Sequence, residues 1–327
     1  MALTTIAGAG ESATRGAVAA GLRGRRADVR GRIFEGVLLA ALLLSLLILG
    51  VLISTVLTDG LGVFGDRGFS FLDNGLSRRE ARAGISQGII GSFWIAMSVV
   101  VVAFPLGIGA AVYLEQYAPR NRLTSFVELN IRNLAGVPSV VYGLLGLAIF
   151  VEALNGFSSN EGVERRTLLA AGITLAVLVL PVMIITASEA IRAVPSSLSE
   201  GAFGVGATRW EVIRTVVLPY AAPGILTGAL LSIARAVGEA APLLVLGAYT
   251  FSSRGAGLDI ANVVDPSALT ERFTGLPQII TTWAKEPKDV FNTDLTAATI
   301  ITMMAFVLLV NSLAVLLRNR FEKKRSG

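Results

Sequence analysis

Residues Ser199 to Pro219, SEGAFGVGATRWEVIRTVVLP, begin polar, are punctuated by glycine and close on Leu-Pro, yet they lie between two long apolar runs. Just upstream, Pro195, Ser196 and Ser197 read as a helix start, because a serine hydroxyl can accept from the orphan amides of a first turn and Glu200 adds favourable negative charge there. Ala202, Val205, Trp210, Ile213, Val216 and Val217 supply apolar contacts, and Gly204 and Gly206 interrupt them. The pattern predicts a short helix, a tight turn and a second short helix, with Pro219 and Pro223 bounding the second before the next apolar run. A segment that merely joined two spans would need none of this organisation. It is built to fit against another protein.

Working outward, 53% of the 327 residues are hydrophobic and 16% are charged, against about 25% charged in an ordinary soluble domain. The chain belongs in a bilayer. It has no cysteine and no histidine, which excludes a disulfide framework, a thiolate or His-ligated metal site and a Ser-His-Asp triad. No cofactor is expected. Its lysines are Lys285, Lys288, Lys323 and Lys324, none of which follows a glycine, so the Gly-Lys-Ser/Thr of a P-loop is missing. The chain does not hydrolyse ATP by itself through that motif.

A spanning helix needs about 20 apolar residues. Runs of that order are expected at Gly36 to Leu57, Gly84 to Leu114, Asn133 to Val151, Thr167 to Ser188 and Leu295 to Leu317, with a sixth, Ala221 to Tyr249, apolar except for Arg235 and Glu239. An even number of crossings puts both termini on one side. Arg15, Arg23, Arg25, Arg26, Arg30 and Arg32 precede the first run, and Arg318, Arg320, Lys323, Lys324 and Arg325 follow the last. By the positive-inside rule both ends are cytoplasmic, and so is the quoted segment. The net charge of +5 is thereby explained by topology, and no nucleic-acid partner is implied. Three regions are expected: residues 1–33, a disordered basic cytoplasmic arm and not a targeting peptide, because the apolar run after it is too long for a signal peptide's core; 34–320, the transmembrane domain with its cytoplasmic segment 195–219; and 321–327, a basic tail.

Arg235 lies 12 residues beyond Pro223, roughly 18 Å along a helix and so near the middle of a core about 30 Å thick. A charge at such depth costs about 2.5 to 3.5 kcal/mol, and an i, i+4 pair in water returns only about 0.2 to 0.5 kcal/mol. Arg235 and Glu239 should therefore face the bundle interior or a watery path, either as a pair fixing helix register or as a cationic step on an anion's route. In LAGVPSVVYGLLGL, Leu134 to Leu147, Pro138 and Ser139 stand just inside another span, where proline frees backbone groups an anion could use or simply kinks the helix. Arg132 precedes that span as an interfacial anchor or a first pathway contact. Pro105 is read as a kink or break. Outside the membrane, Leu269, Phe273, Leu276, Ile280 and Trp283 form one apolar stripe at helical spacing, expected to pack on the membrane surface or the bundle, or to dock an external partner.

The quoted segment resembles the permease subunits of ABC-type importers. Their cytoplasmic loop reads Glu-Ala-Ala, three residues, Gly, nine residues, Ile, one residue, Leu-Pro; here stand Glu200, Gly201, Ala202, three residues, Gly206, nine residues, Val216, Val217, Leu218 and Pro219. Gly201 and Val216 depart from the pattern conservatively. The resemblance implies an all-α fold of six transmembrane helices with the type I ABC importer permease core, and a coupling role for Glu200, Ala202, Gly206, Leu218 and Pro219 in a groove of the ATPase. The stretch Gly206 to Ala248, ending RAVGEAAPLL, together with NLAGVPSVVYGLLGL and LPQIITTWA, is similar to PstA-type permeases of phosphate importers. That similarity covers roughly Gly36 to Arg320, is looser in the first two spans, and implies phosphate as substrate, a PstC-type second permease, two copies of a PstB-type ATPase and a PstS-type extracytoplasmic binding protein. It places Arg235 and Glu239 where those permeases carry intramembrane charges tied to phosphate passage. The rival readings are an ABC permease for sulfate or molybdate, an ion-coupled secondary transporter, in which the structured segment would be purposeless, and an intramembrane enzyme, for which all four lysines lie outside the spans.

Overall fold

A computed structural model describes residues 29–154, 166–248, 263–270 and 272–323. Within these residues the chain is helical, with one isolated antiparallel bridge between Thr167 and Arg272. Helix is the only open form a lone apolar segment can take in lipid, since it satisfies its own amides and carbonyls. In chain order the principal helices are α1 (Val29–Arg67), α2 (Ser86–Tyr117), α3 (Arg122–Ala135), α4 (Ser139–Ala153), α5 (Leu168–Arg192), α6 (Ser196–Gly204), α7 (Arg209–Gly238), α8 (Ala241–Leu246), α9 (Leu276–Trp283) and α10 (Phe291–Arg320). Helices α1, α2, α5, α7 and α10 are each long and apolar enough to cross a membrane, and α3 with α4 form a further candidate bent by 102°. The chain is a multi-pass membrane protein.

The bent pair replaces the straight span expected at Asn133 to Val151. Pro138 has no amide to donate and disfavours helical geometry at Val137, so α3 stops and α4 starts afresh with Pro138 as its N-cap. The Leu134 carbonyl freed at the bend accepts from Val137 N at 3.1 Å and from the buried Tyr142 hydroxyl at 2.9 Å. Around α3, Glu128, Ile131 and Arg132 share a small pocket with Ser188, Glu189 and Arg192 of α5, whereas Gly146 of α4 lies against Thr174. From Ser188 to Thr174 the pair advances about 21 Å along α5 at ~1.5 Å per residue. Such an advance suits a broken crossing, which would bring the five long apolar helices to six crossings.

Prolines interrupt the other spans less than expected. Helix α2 continues through Pro105 and α5 through Pro181. Helix α7 passes both Pro219 and Pro223, so neither bounds a short helix. Its turn at Ile213–Val217 is a π turn, in which the Leu218 amide reaches Ile213 O; the wider turn gives room where Pro219 would otherwise clash with the carbonyl four residues earlier. The expected span to Tyr249 stops at Gly238. Glu239 adopts extended geometry (φ −82°, ψ 115°), α8 follows, and Gly247 closes it at φ 82°; Tyr249 lies outside the described residues.

The chain divides into two compact units inside α1, after Thr55. In the first, the helix begins at Val29, ahead of the expected boundary at 33, and its apolar side chains are exposed, Leu47 to 64%; residues 1–28 of the expected arm lie outside the described residues. In the second unit, Ile95, Val99 and Ala103 of α2 and Leu175 and Val179 of α5 join one buried cluster with Ile233 and Val237 of α7. Close approach of α5 and α7 depends on Gly228, where any β-carbon would collide with Thr186. Helix α10 runs on to Lys323, into the expected tail, whose last residues, 324–327, lie outside the described residues.

The outer apolar stripe is shorter than expected. Leu269 belongs to a separate turn, Pro266–Thr270, and α9 begins only at Leu276, where Pro277 favours a first helical turn. Leu276, Ile279 and Trp283, with Phe273 ahead of the helix, are buried, while Ile280 is half-buried. Among the two packing alternatives the bundle is the answer: α9 joins Phe71, Ile85 and Phe291 in a core cluster, and Leu276 N donates to Ser92 Oγ of α2 at 3.0 Å.

Candidate functional site

The segment 195–219 folds as a helix, a glycine turn and the start of α7. Helix α6 opens on Pro195 with no side-chain cap, so the expected capping by Ser196 or Ser197 does not occur. The side-chain cap lies on the other side of the turn. Thr208 and Glu211 form a reciprocal capping box, Thr208 N donating to Glu211 Oε2 at 2.7 Å and Glu211 N to Thr208 Oγ1 at 3.4 Å. The spacing Thr-x-x-Glu is a sequence signature of that motif and could have been read. At the turn itself Gly206 has φ 88°. Its amide bonds Phe203 O at 2.9 Å and the Ala207 amide bonds Ala202 O at 3.2 Å, the paired closure of a helix end that calls for a left-handed residue.

One side of this segment is anchored and the other is free. Val212, Ile213 and Val217 are buried, and Ala202, Val216 and Leu218 pack on the same cluster with Met183, Ala187 and Ile191 of α5. Val205 (86% exposed), Trp210 (56%), Phe203 (48%) and Leu198 (41%) face outward. Glu200, Gly206 and Pro219 are exposed as well. Of the expected contacts, then, Ile213 and Val217 serve the protein's own core, whereas Val205 and Trp210 are exposed.

Arg235 and Glu239 stand at the break that ends α7. Arg235 lies in the last helical turn, where the helix dipole favours a cation, and Glu239 is the C-cap. Their closest approach, Nε to Oε1, is 3.9 Å, with side chains 38% and 23% exposed. This is a loose, partly exposed pair. Helices α8 and α4 meet beside it: a β-carbon at Gly143 would come within 2.8 Å of Pro242 Cα, and Tyr142 lies within electrostatic reach of Arg235. The fold therefore brings the start of α4, with Pro138 and Ser139, into the neighbourhood of the α7 break. Pro138 and Ser139 stand at the bend rather than inside a span. Arg132 is different. It sits on α3 in the pocket with Glu115, Glu128, Glu189 and Arg192, grouped with those charges at the end of α5. Tyr142 was missed in the sequence, since a buried tyrosine in an apolar run gives no sign that it braces a bend eight residues away.

The family described as binding-protein-dependent transport system inner membrane component matches residues 103–325. The chain is 37% identical over 182 residues to the probable ABC transporter permease protein YqgI of Bacillus subtilis (strain 168), covering 56% of this chain and 59% of the relative. It is 34% identical over 245 residues to the phosphate transport system permease protein PstA of Yersinia pestis, covering 75% of each. The chain thus spans less than two thirds of the length of the first relative. Its fold is similar to a chain of the MetNI methionine ABC transporter in an inward-facing conformation, with a TM-score of 0.54, 18% identity, and coverage of 72% of this chain and 95% of that one.

Proposed function

Because the chain belongs to the family of binding-protein-dependent transport system inner membrane components, we propose that it is the PstA-type permease of an ATP-driven phosphate importer in the bacterial cytoplasmic membrane. It works with a second, PstC-type permease, two copies of a PstB-type ATPase and a PstS-type binding protein that delivers phosphate from outside. The observation that carries the reading is the exposed apolar edge Leu198, Phe203, Val205 and Trp210 on a segment whose spacing is that of the ABC coupling loop. The ATPase groove covers this edge, with Glu200, Ala202, Gly206, Leu218 and Pro219 fixing its shape. Phosphate is chosen over sulfate or molybdate on the likeness to a phosphate permease along three quarters of the chain.

The mechanism is alternating access. ATP binding draws the two ATPases together, and α6 with the Gly206 turn moves α5 and α7, into whose ends it is packed. The open face at the α7 break meets the second permease, and between them runs the pathway. Arg235 offers a planar fork that matches a phosphate oxyanion. Glu239, within 3.9 Å, restrains the guanidinium and weakens its hold, so that the anion can leave as well as enter. Amides at the start of α4, beside Pro138 and Ser139, add partial positive charge from the facing helix, and Arg132 receives the anion at the inner end.

The test is uptake of labelled phosphate at low micromolar concentration in cells lacking other phosphate importers, with and without this chain. Uptake that depends on the chain and ignores excess sulfate and molybdate supports the proposal. Competition by either oxyanion reassigns the substrate, and uptake that follows a proton or sodium gradient without the ATPase removes the ABC mechanism.

A further inference from the structure

The last turn of α2, Tyr113–Tyr117, is a π turn that is gripped from either end of the stretch formed by α6 and the Gly206 turn. From the N-terminal flank, Arg192, the final residue of α5, holds Glu115 in a two-pronged bond, Nη2 to Oε1 at 2.6 Å and Nε to Oε2 at 3.2 Å. From the C-terminal flank Arg209, the first residue of α7 after the Gly206 turn, lies over the Tyr117 ring at 5.1 Å from its centre. The two arginines thus bracket α6 and the Gly206 turn in sequence and meet on one turn of a third helix in space. We propose that Glu115 and Tyr117 are positioning residues through which movement of the docked segment is delivered to α2, and so to the opening of the pathway.

Stability does not account for the arrangement. The Arg192 side chain is 56% exposed, while Glu115 is only 14% exposed, and an ion pair with one partner this open to solvent adds little to folding. A cation over an exposed ring is likewise a weak contact. What the pair of contacts supplies is direction. A forked guanidinium to carboxylate bond fixes the relative orientation of two helix ends. A π turn carries one extra residue in an otherwise α-helical ladder and is frequent at functional sites. With α5 and α7 both tied to it, α2 cannot stay behind when the segment between them moves. The remaining charges around this point, Glu128 and Arg132 on α3 and Glu189 on α5, line the same pocket, and of its three carboxylates it is Glu115 that Arg192 holds in the forked bond.

This inference rests on the docking reading above, and the experiment separates the two. The complete importer is reconstituted in vesicles with its ATPase and binding protein, and three quantities are measured: ATPase retained on purification, ATP hydrolysed and phosphate transported. For Glu115→Gln and Tyr117→Leu the ATPase stays bound, while ATP consumed per phosphate rises by about tenfold, a typical size for energetic coupling between sites. Tyr117→Phe, which keeps the ring face, leaves that ratio unchanged. Exchanging the partners, Glu115→Arg with Arg192→Glu, brings the ratio back towards that of the unaltered importer. An unchanged ratio in both Glu115→Gln and Tyr117→Leu, whether the two rates fall together or not at all, overturns the proposal. Failure of the unaltered chain to retain the ATPase instead removes the docking reading itself.

Discussion

Arg235 shows what a single side chain contributes. Its i, i+4 relation to Glu239 was plain in the sequence, but on a continuous helix the two would be a close pair. In the structure Glu239 has left the helix and the separation is 3.9 Å, a loose pairing that in the proposed function leaves guanidinium donors for an anion. We expect Arg235→Gln to abolish phosphate uptake with assembly and membrane insertion intact. Arg235→Lys should retain a reduced rate, because it keeps the charge but loses the fork. Normal uptake by the glutamine variant, measured beside its abundance in the membrane, would remove Arg235 from the pathway. Gly206 makes a different contribution. At φ 88° a β-branched residue is strained by about 1–3 kcal/mol, so Gly206→Val should unseat the end of α6 and lower both ATPase retention and transport-linked hydrolysis. Undiminished values of both would count against a docking role for the turn. That a glycine was needed here was legible in the sequence, because the break between two apolar stretches admits few other residues. That the side-chain cap falls at Thr208 rather than at Ser196 or Ser197 was not: the serines follow Pro195, which already closes the first turn through its own carbonyl, accepting from Leu198 N at 3.2 Å.

At the scale of elements, hydrophobic run length located the crossings well and their interruptions poorly. Proline marks a missing donor, but whether the helix stops depends on what else can satisfy the freed carbonyl. At Pro138 the Tyr142 hydroxyl takes that part across the bend and the helix breaks. At Pro219 a π turn precedes the proline and the helix continues. Tertiary partners and turn widening leave no periodic trace in a sequence, so the same residue type gave opposite outcomes. Tyr142→Phe tests the first case. It leaves the ring in place and orphans one bond to Leu134 O, so we expect the importer to assemble with a thermal midpoint lowered by a few degrees and with slowed transport, since a single net hydrogen bond is worth about 0.5–1.5 kcal/mol. An unaltered midpoint would mean that the bend is held by backbone bonds alone. The exposed edge of α6 is the second element to test. Phe203 is 48% exposed and, among the described residues, joins none of the buried apolar clusters; Phe203→Asp should release the ATPase while leaving the permease folded, as read by copurification and by the permease's own melting curve.

For the whole molecule the decisive quantity is the number of crossings, because it fixes which side the docking segment faces. If α3 and α4 together cross once, the six crossings return the chain to its starting side, and the basic residues before α1 and after α10 share it with Ser197. If the pair instead turned back, α5 would run the other way, the docking segment would face outward, and the basic ends would lie on opposite sides of the membrane, against the charge rule. The advance of the pair along α5, from Ser188 at Ile131 to Thr174 at Gly146, favours the first arrangement. The chain has no cysteine, so single cysteines can be introduced without a background signal. With a membrane-impermeant maleimide on intact cells we expect Phe69→Cys, between α1 and α2, and Ser158→Cys, between α4 and α5, to react. Ser12→Cys, Ser197→Cys and Ser326→Cys should react only after the membrane is permeabilised. Labelling of Ser197→Cys in intact cells, with Ser158→Cys protected, would make α3 and α4 a re-entrant loop and would put the docking segment out of reach of any cytoplasmic ATPase.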